Sequence, residues 1–314
     1  MADESVEESG ASQEDLGASQ EDLGTSLEDT VRACYAGWSG GYFEQYHGDK
    51  AAYPPVHRDI IAGLLDAAGA GRVLDAGCGP ASLLRCLGAP GRTLYGFDLT
   101  PEMVEEARRV MAPLGLPPER LWVGSVTRGE DFAQPDGPYD AAICTGVLPH
   151  IPEQDDPRVL DNLRGCLRPG GLAVLEARNE FFGLFTLNRY TMDFFEERLI
   201  RPDALRPRLG GDAPALDAAL DGVRAMLRTD LPPRRAGYDE ILSRAHNPLV
   251  LRQQMEQAGF RDVRVLFYHF HCLPPMFEQL MPATFREASL AMENPEDWRG
   301  YFMASAFLLA GVRA

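Results

Sequence analysis

Two acidic residues, each at the end of an apolar run, are the residues of this chain best placed to do chemistry. One run ends on Asp75 and leads into Gly77 and Gly79, and the next, at residues 93–97, ends on Asp98. Glycines after a strand let the backbone approach a ligand closely, and an acid at the end of the following strand can accept hydrogen bonds from a ribose diol. This pattern predicts a site for a nucleoside-containing cofactor.

The arrangement of the glycines indicates which kind of nucleoside cofactor fits. A dinucleotide loop usually reads G-x-G-x-x-G, with a pyrophosphate at the N-terminus of the following helix. Here the loop reads D-x-G-x-G, a helix is expected to begin at Pro80, and the next glycine is Gly88. The loop therefore favours a cofactor that carries no phosphate.

This segment resembles the first motif of the class I S-adenosylmethionine-dependent methyltransferases. Residues 98–103 are similar to the end of that family's second strand and its following helix, 139–152 to its fourth strand and cofactor loop, and 167–176 to its helix end, turn and fifth strand. The resemblance implies an α/β, Rossmann-like seven-stranded methyltransferase sheet with helices on both faces. It also implies a lid insert after strand five and an insert between strands six and seven.

The resemblance implies S-adenosyl-L-methionine as the cofactor and assigns ten residues to its binding. These cofactor-binding candidates are Asp75, Gly77, Gly79, Asp98, Leu99, Met103, Ser125, Val126, Thr145 and Gly146. One position departs from the family pattern, because the family often carries an acid after strand three that accepts a hydrogen bond from the adenine amino group. This chain has Ser125 there, whose oxygen can also accept, and the backbone NH of Val126 can serve a ring nitrogen.

Composition and charge limit the other possibilities. The chain has 314 residues, 45% of them hydrophobic, and a net charge of −17. Residues 1–30 contain an acidic seven-residue repeat with one leucine per unit, which predicts a disordered arm rather than a coiled coil, with docking on a partner as the alternative. We expect a methyltransferase domain at 31–314, with its core at about 56–177 and 248–314 and a lid at about 178–247. The sequence shows no basic stripe of the kind that binds nucleic acid, so no nucleic-acid partner is expected.

The cysteines and the hydropathy pattern bear on the cellular compartment. Six cysteines are dispersed without a C-x-x-C pair, which is typical of buried thiols in a reducing environment, and no metal site is expected. The sequence shows neither a signal-peptide pattern nor an apolar run of about 18 residues. These features predict a cytoplasmic protein with no membrane partner, either a monomer or a homodimer.

Three histidines are candidates for catalysis. His150 follows strand four in the loop that faces the methyl-transfer side in similar enzymes, while His269 and His271 end strand six and should lie on one face of it. Each could remove a proton from the methyl acceptor, because neutral histidine titrates near working pH. Each could equally be a structural histidine, and for His269 and His271 a metal ligand is a further, weaker alternative.

Four further residues are candidates for binding the methyl acceptor: Tyr42 in the aromatic segment before the core, and Asn179, Arg189 and Tyr190 after strand five. Their place after a strand end favours a ligand site, although the nearby phenylalanines could simply pack. We expect a small-molecule acceptor, such as a natural-product intermediate or a sugar-linked metabolite. A catalytically silent S-adenosylmethionine-binding subunit and, less favoured, a nicotinamide-dependent oxidoreductase remain alternatives.

Overall fold

The computed structural model describes residues 20–37, 54–133, 135–227 and 241–314. Within these residues seven strands form one mixed sheet with the order β3-β2-β1-β4-β5-β7-β6. The strands are β1 Arg72–Ala76, β2 Thr93–Asp98, β3 Leu121–Val123, β4 Tyr139–Cys144, β5 Leu167–Arg178, β6 Phe260–Phe270 and β7 Ala304–Arg313. The first five are parallel, and β7 runs antiparallel between β5 and β6. This is the predicted Rossmann-like methyltransferase sheet.

The helices of the described residues lie before, between and after these strands. They are α1 Gln20–Ala36, α2 Val56–Ala67, α3 Pro101–Met111, α4 Asp156–Cys166, α5 Phe182–Thr186, α6 Arg189–Phe194, α7 Pro202–Leu209, α8 Ala213–Met226, α9 Pro248–Gln257, α10 Pro282–Ala291 and α11 Gly300–Met303, with a π-helical turn at Phe195–Ile200. None of them is long and apolar enough to cross a bilayer.

Two apolar layers hold the sheet between its helices. On one face, Ile61 and Leu65 of α2 and Val104 of α3 pack against the apolar side chains of the central strands. On the other face, α4 contributes Leu160 and α9 contributes Met255 to the second layer. Because both faces are covered, the central strands consist of nearly continuous apolar residues, and this composition is what made them recognisable.

The N-terminal segment differs from the expectation of a disordered arm. Residues 20–36 form α1, so the last eleven residues of the predicted arm are helical, whereas residues 1–19 lie outside the described residues. Leu27, Val31 and Tyr35 recur every four residues and form one side of this helix, which faces a cavity in the domain. Over residues 27–35 the spacing of the apolar residues therefore predicts the observed helix better than the acidic composition does.

The segment between β5 and α9 holds α5 to α8 in its described part. Its return to the sheet is fixed by a bridge between Asn179 and His246 and by the buried carboxylate of Asp156, which accepts from Arg244 at 2.6 Å. The return segment thus packs against the turn after β4, and its role as a substrate lid stays a prediction.

Candidate active site

A cavity of about 870 Å³ opens at the carboxyl ends of β1, β2 and β4. The strand order reverses between β1 and β4, and ligands of open α/β sheets bind at such a point. The volume lies within the range of small-molecule sites. Nine of the ten predicted cofactor residues line this cavity: Gly77, Gly79, Asp98, Leu99, Met103, Ser125, Val126, Thr145 and Gly146.

The glycine loop follows β1 and is held against β2. The amides of Gly77 and Cys78 both donate to the carbonyl of Phe97, at 2.8 and 2.9 Å. Gly77 has φ +87°, and a Cβ at this position would overlap the Cγ2 methyl of Val147, which comes from the loop after β4. Only glycine suits both constraints, so the first glycine of the motif brings two cavity loops into contact.

The second glycine is followed by turns rather than by the predicted helix. Residues 79–83 form turns and Leu84–Cys86 a short 3₁₀ helix. Ala81 has φ +60°, which α-helical geometry does not permit. In the described part of the chain, a short 3₁₀ helix takes the place of a long helix after the glycine loop, which agrees with a cofactor that carries no phosphate.

Asp98 lies at the end of β2 and lines the cavity. Its carboxylate accepts hydrogen bonds from the amide of Gly79 at 2.8 Å and from the amide of Thr100 at 2.9 Å. Burial raises the pKa of Asp98, while these two backbone hydrogen bonds act in the opposite direction. A carboxylate offers about four lone-pair positions, and the two amides and the hydroxyl of Thr100 occupy three of them, so the group can still accept a hydrogen bond from a ribose hydroxyl.

Asp75, the other acid of the motif, does not line the cavity. Asp75 is 1% exposed, and its Oδ1 has no hydrogen-bond partner among the described residues. Burial and the neighbouring Asp98 charge raise its pKa to about 7. The predicted direct contact with the cofactor is therefore not seen, because Asp75 is enclosed beneath the loop that it precedes.

Ser125 and Val126 follow β3, and α1 packs against them. The amide of Ser125 donates to Asp131 Oδ2 at 2.7 Å, while its hydroxyl donates to Glu28 Oε1 at 2.6 Å. Glu28 was not among the predicted site residues, since it belongs to the acidic repeat. It nevertheless lines the cavity, together with Leu27, Val31 and Tyr35 of the same helix.

His150 is the one predicted catalytic histidine that lines the described cavity. Its Nδ1 lies 2.7 Å from the carbonyl of Leu242, which can only accept, so Nδ1 carries the proton of the neutral ring. Its Nε2 lies 2.9 Å from the hydroxyl of Tyr35 on α1, which is not among the predicted site residues. Burial lowers the pKa of His150 to about 4, so the ring is neutral at physiological pH.

His269 lies on the edge strand β6 and His271 directly follows that strand, and neither lines this cavity. The ring of His269 lies beside Tyr268 and His57, whereas the ring of His271 lies 4.7 Å from that of Phe182. His269 has φ +56°, which departs from the regular strand conformation on which the expectation of a shared face rests, and the two rings have different neighbours. Burial lowers the pKa of each to about 4.

The predicted acceptor-binding residues are not brought to the cavity either. Asn179 is 4% exposed, and its side-chain amide donates to the carbonyls of Gly300, Tyr301 and Ala304. Arg189 and Tyr190 are exposed and stack on each other. Tyr42 lies outside the described residues. Asn179 is buried because its side chain links the end of β5 to α11 and the start of β7. The sequence around Asn179 gives no sign of this contact between distant parts of the chain.

The described residues contain no cluster of three or more His, Cys, Asp or Glu side chains that could hold a metal ion. The phenylalanines after β5 pack among themselves and against α11: the ring of Phe181 lies 5.8 Å from that of Phe194 and is stacked on that of Phe302. None of the described residues of 178–247 lines the cavity. These phenylalanines therefore pack against one another and against α11 and do not line the described cavity.

The family model for the methyltransferase domain matches residues 52–265, which is more than half of the chain. The chain belongs to the class I S-adenosylmethionine-dependent methyltransferase family. The matched region includes the glycine loop, Asp98, the segment after β3 and His150, so the cavity of the methyltransferase is built mainly from family elements. The matched region does not include Glu28 and Tyr35 on α1.

Two curated relatives of this methyltransferase share one name. It is 30% identical over 156 residues to the ubiquinone biosynthesis O-methyltransferase of Xylella fastidiosa, covering 49% of this chain and 61% of that protein. It is 36% identical over 140 residues to the enzyme of the same name from Xanthomonas oryzae, covering 43% and 54%. The methyltransferase thus spans between about half and three fifths of the length of these relatives.

A solved structure supports the fold. The magnesium protoporphyrin IX methyltransferase of Synechocystis, determined with bound SAH, superposes with a TM-score of 0.50 at 18% identity. The superposition covers 92% of this methyltransferase and all of that chain. At this identity the likeness shows a common fold.

Proposed function

We propose that this chain transfers the methyl group of S-adenosylmethionine to a hydroxyl oxygen of a small molecule. The observation that carries the proposal is the meeting of three features in one cavity. The cofactor loop with Gly77 and Gly79, the ribose acid Asp98 and the oriented ring of His150 all line it. A cofactor-binding subunit without turnover has no need of the last feature.

The chemistry needs little more than alignment and the removal of one proton. When bound, S-adenosylmethionine supplies a methyl group on a positively charged sulfur, which keeps the electron pair of the broken carbon–sulfur bond as the new carbon–oxygen bond forms. Asp98 would bind the ribose hydroxyls, and the backbone at Thr145 and Gly146 would line the transfer side. Fixing the two reacting groups in this way accounts for much of the acceleration in such reactions.

Tyr35 and His150 would take the acceptor proton. The proton of the acceptor hydroxyl passes to the oxygen of Tyr35 while the phenolic proton of Tyr35 passes to His150 Nε2. The carbonyl of Leu242 then stabilises the imidazolium through Nδ1. Because burial lowers the pKa of His150 to about 4, its lone pair is available throughout the physiological range, although it is a weaker base than an exposed histidine.

A hydroxyl acceptor is favoured over an amine by two facts. The curated relatives are named O-methyltransferases of ubiquinone biosynthesis, and a neutral imidazole paired with a phenol suits the removal of a hydroxyl proton. The cavity volume of about 870 Å³ is large enough for a drug-sized molecule. We propose a cytoplasmic enzyme, either a monomer or a homodimer, that acts on neither nucleic acid nor membranes.

The test combines binding and product formation. We expect calorimetric titration to show micromolar affinity for S-adenosylmethionine and S-adenosylhomocysteine and no binding of NADH. Incubation with labelled S-adenosylmethionine and a panel of phenols, catechols, sugar alcohols and matched amines should then release S-adenosylhomocysteine with a hydroxyl compound. Binding without turnover across the panel would support the silent-subunit alternative, and turnover with amines alone would contradict the hydroxyl acceptor.

A further inference from the structure

We propose that Glu28 of α1 is the acid that recognises the adenine amino group in this methyltransferase. The inference rests on the proposed function, because it assumes that S-adenosylmethionine occupies the cavity. Its starting point is the departure at Ser125, where the family often carries an acid. In this structure an acid is present at that place, but it comes from a helix nearly one hundred residues earlier in the chain.

The contacts of Glu28 place its carboxylate beside the segment after β3. Oε1 accepts from the hydroxyl of Ser125 at 2.6 Å and from that of Thr127 at 3.0 Å, and Oε2 lies 3.2 Å from Arg128 Nη1. A carboxylate offers about four lone-pair positions, so one remains on Oε2. The side chain is 23% exposed and lines the cavity, so a ligand can reach it.

Ser125 itself is poorly placed to replace the missing acid. Its hydroxyl proton is directed to Glu28, and its oxygen already accepts from the amide of Thr127 at 3.2 Å. A carboxylate forms stronger hydrogen bonds than a neutral hydroxyl. Glu28, with its free position on Oε2, is therefore the better acceptor for a proton of an amino group.

The remainder of α1 holds Glu28 in position. Arg32 Nε donates to the carbonyl of Leu99 at 3.3 Å, and Leu99 itself is a predicted cofactor-binding residue that lines the cavity. Leu27 and Val31 line the same cavity from either side of Glu28. The helix thus joins the loop after β2 to the loop after β3, the two loops between which the adenine ring is expected.

Nucleoside discrimination tests this assignment. A carboxylate accepts hydrogen bonds and cannot donate them, so it favours the 6-amino group of adenine and repels the 6-carbonyl of hypoxanthine. We expect the wild-type protein to bind S-adenosylhomocysteine at least about tenfold more tightly than S-inosylhomocysteine in calorimetric titrations. E28Q can accept through its carbonyl or donate through its amide, and we expect the ratio to fall to about threefold or less.

The matched control is E105Q, which makes the same change at an exposed position of α3 that does not line the cavity, so E105Q should keep the wild-type ratio. A wild-type ratio in E28Q overturns the assignment, as does tighter binding of S-adenosylhomocysteine by E28Q, which would make Glu28 a competitor of the cofactor. If the wild-type protein binds neither nucleoside, the proposed function fails and the inference fails with it.

Discussion

Gly77 shows how a single residue type controls the cavity. Its backbone is left-handed, and the space that a side chain would need is filled by Val147. We expect Gly77→Ala to displace the loop after β4 and to lower the affinity for S-adenosylmethionine by about tenfold or more, because backbone strain and overlap act together.

Calorimetric titration of that variant measures the effect, and Gly63→Ala is its control. Gly63 lies within α2 with open space at its Cβ position, so alanine there should leave the affinity unchanged and slightly stabilise the helix. Equal affinities of Gly77→Ala and the wild-type protein would show that the two loops do not depend on this contact.

His150 leads to a prediction for the pH dependence of the reaction. Because burial lowers its pKa to about 4, the ring stays unprotonated as the pH falls from 8 to 5.5. We expect kcat/KM to remain nearly constant over that range, whereas a base with the ordinary histidine pKa of about 6.5 would be half protonated at pH 6.5. The measurement is a pH profile of initial rates.

The Tyr35→Phe variant connects that profile to the proton relay. Loss of the phenolic proton should lower kcat by about a hundredfold with little change in KM, within the range found for general bases. Tyr190→Phe is the control, since Tyr190 is exposed and distant from the described cavity lining. A rise in KM at constant kcat would assign Tyr35 to acceptor binding instead.

Among the secondary-structure elements, the sequence predicts strands better than helical inserts. Both faces of the parallel strands are buried, so their apolar runs end where the strands end, and Asp75 and Asp98 mark those ends. Contacts between distant elements leave no such local sign. The helix α1 begins inside an acidic repeat and extends beyond it, and the side chain of Asn179 bonds to carbonyls more than a hundred residues later in the chain.

Asn179 therefore supports a prediction about stability rather than substrate binding. Asn179→Ala removes a buried amide that donates to three carbonyls, and we expect a loss of about 2 to 3 kcal/mol in the free energy of unfolding. Chemical denaturation measures this change, and Arg189→Ala, on the exposed part of the insert, should leave it unchanged. An unaltered stability with a raised KM for the acceptor would restore Asn179 to the substrate site.

At the scale of the whole molecule, four histidines that are wholly or partly buried make the fold sensitive to acid. Burial lowers the pKa of His57, His150, His269 and His271 to about 4, compared with about 6.5 in an unfolded chain. Between these pH values the unfolded chain binds more protons than the native one. The contribution of these histidines to the free energy of unfolding is therefore fully present above pH 6.5 and declines as the pH falls towards 4.

A few carboxyl groups act in the opposite direction. Burial raises the pKa of Asp75 to about 7 and raises those of Asp98 and Glu293, so these groups favour the native state as the pH falls. The four histidines outnumber these three carboxyl groups, and the pKa shift of each histidine is comparable in size with the pKa shift of Asp75. We expect Tm to decrease steadily from pH 6.5 to pH 4.5 in thermal scans, and a constant or rising Tm would show that the histidines are not desolvated in the native state.

The contact of Val147 with Gly77 also bears on how the spent nucleoside leaves after each turnover. Since these two residues press the glycine loop against the loop after β4, neither loop can open without moving the other. The opposite wall, α1, is held by side-chain hydrogen bonds of Glu28 and Arg32, which can break one at a time. Departure past α1 would break these hydrogen bonds without moving either loop, and we expect the dwell time of the nucleoside to depend on that helix.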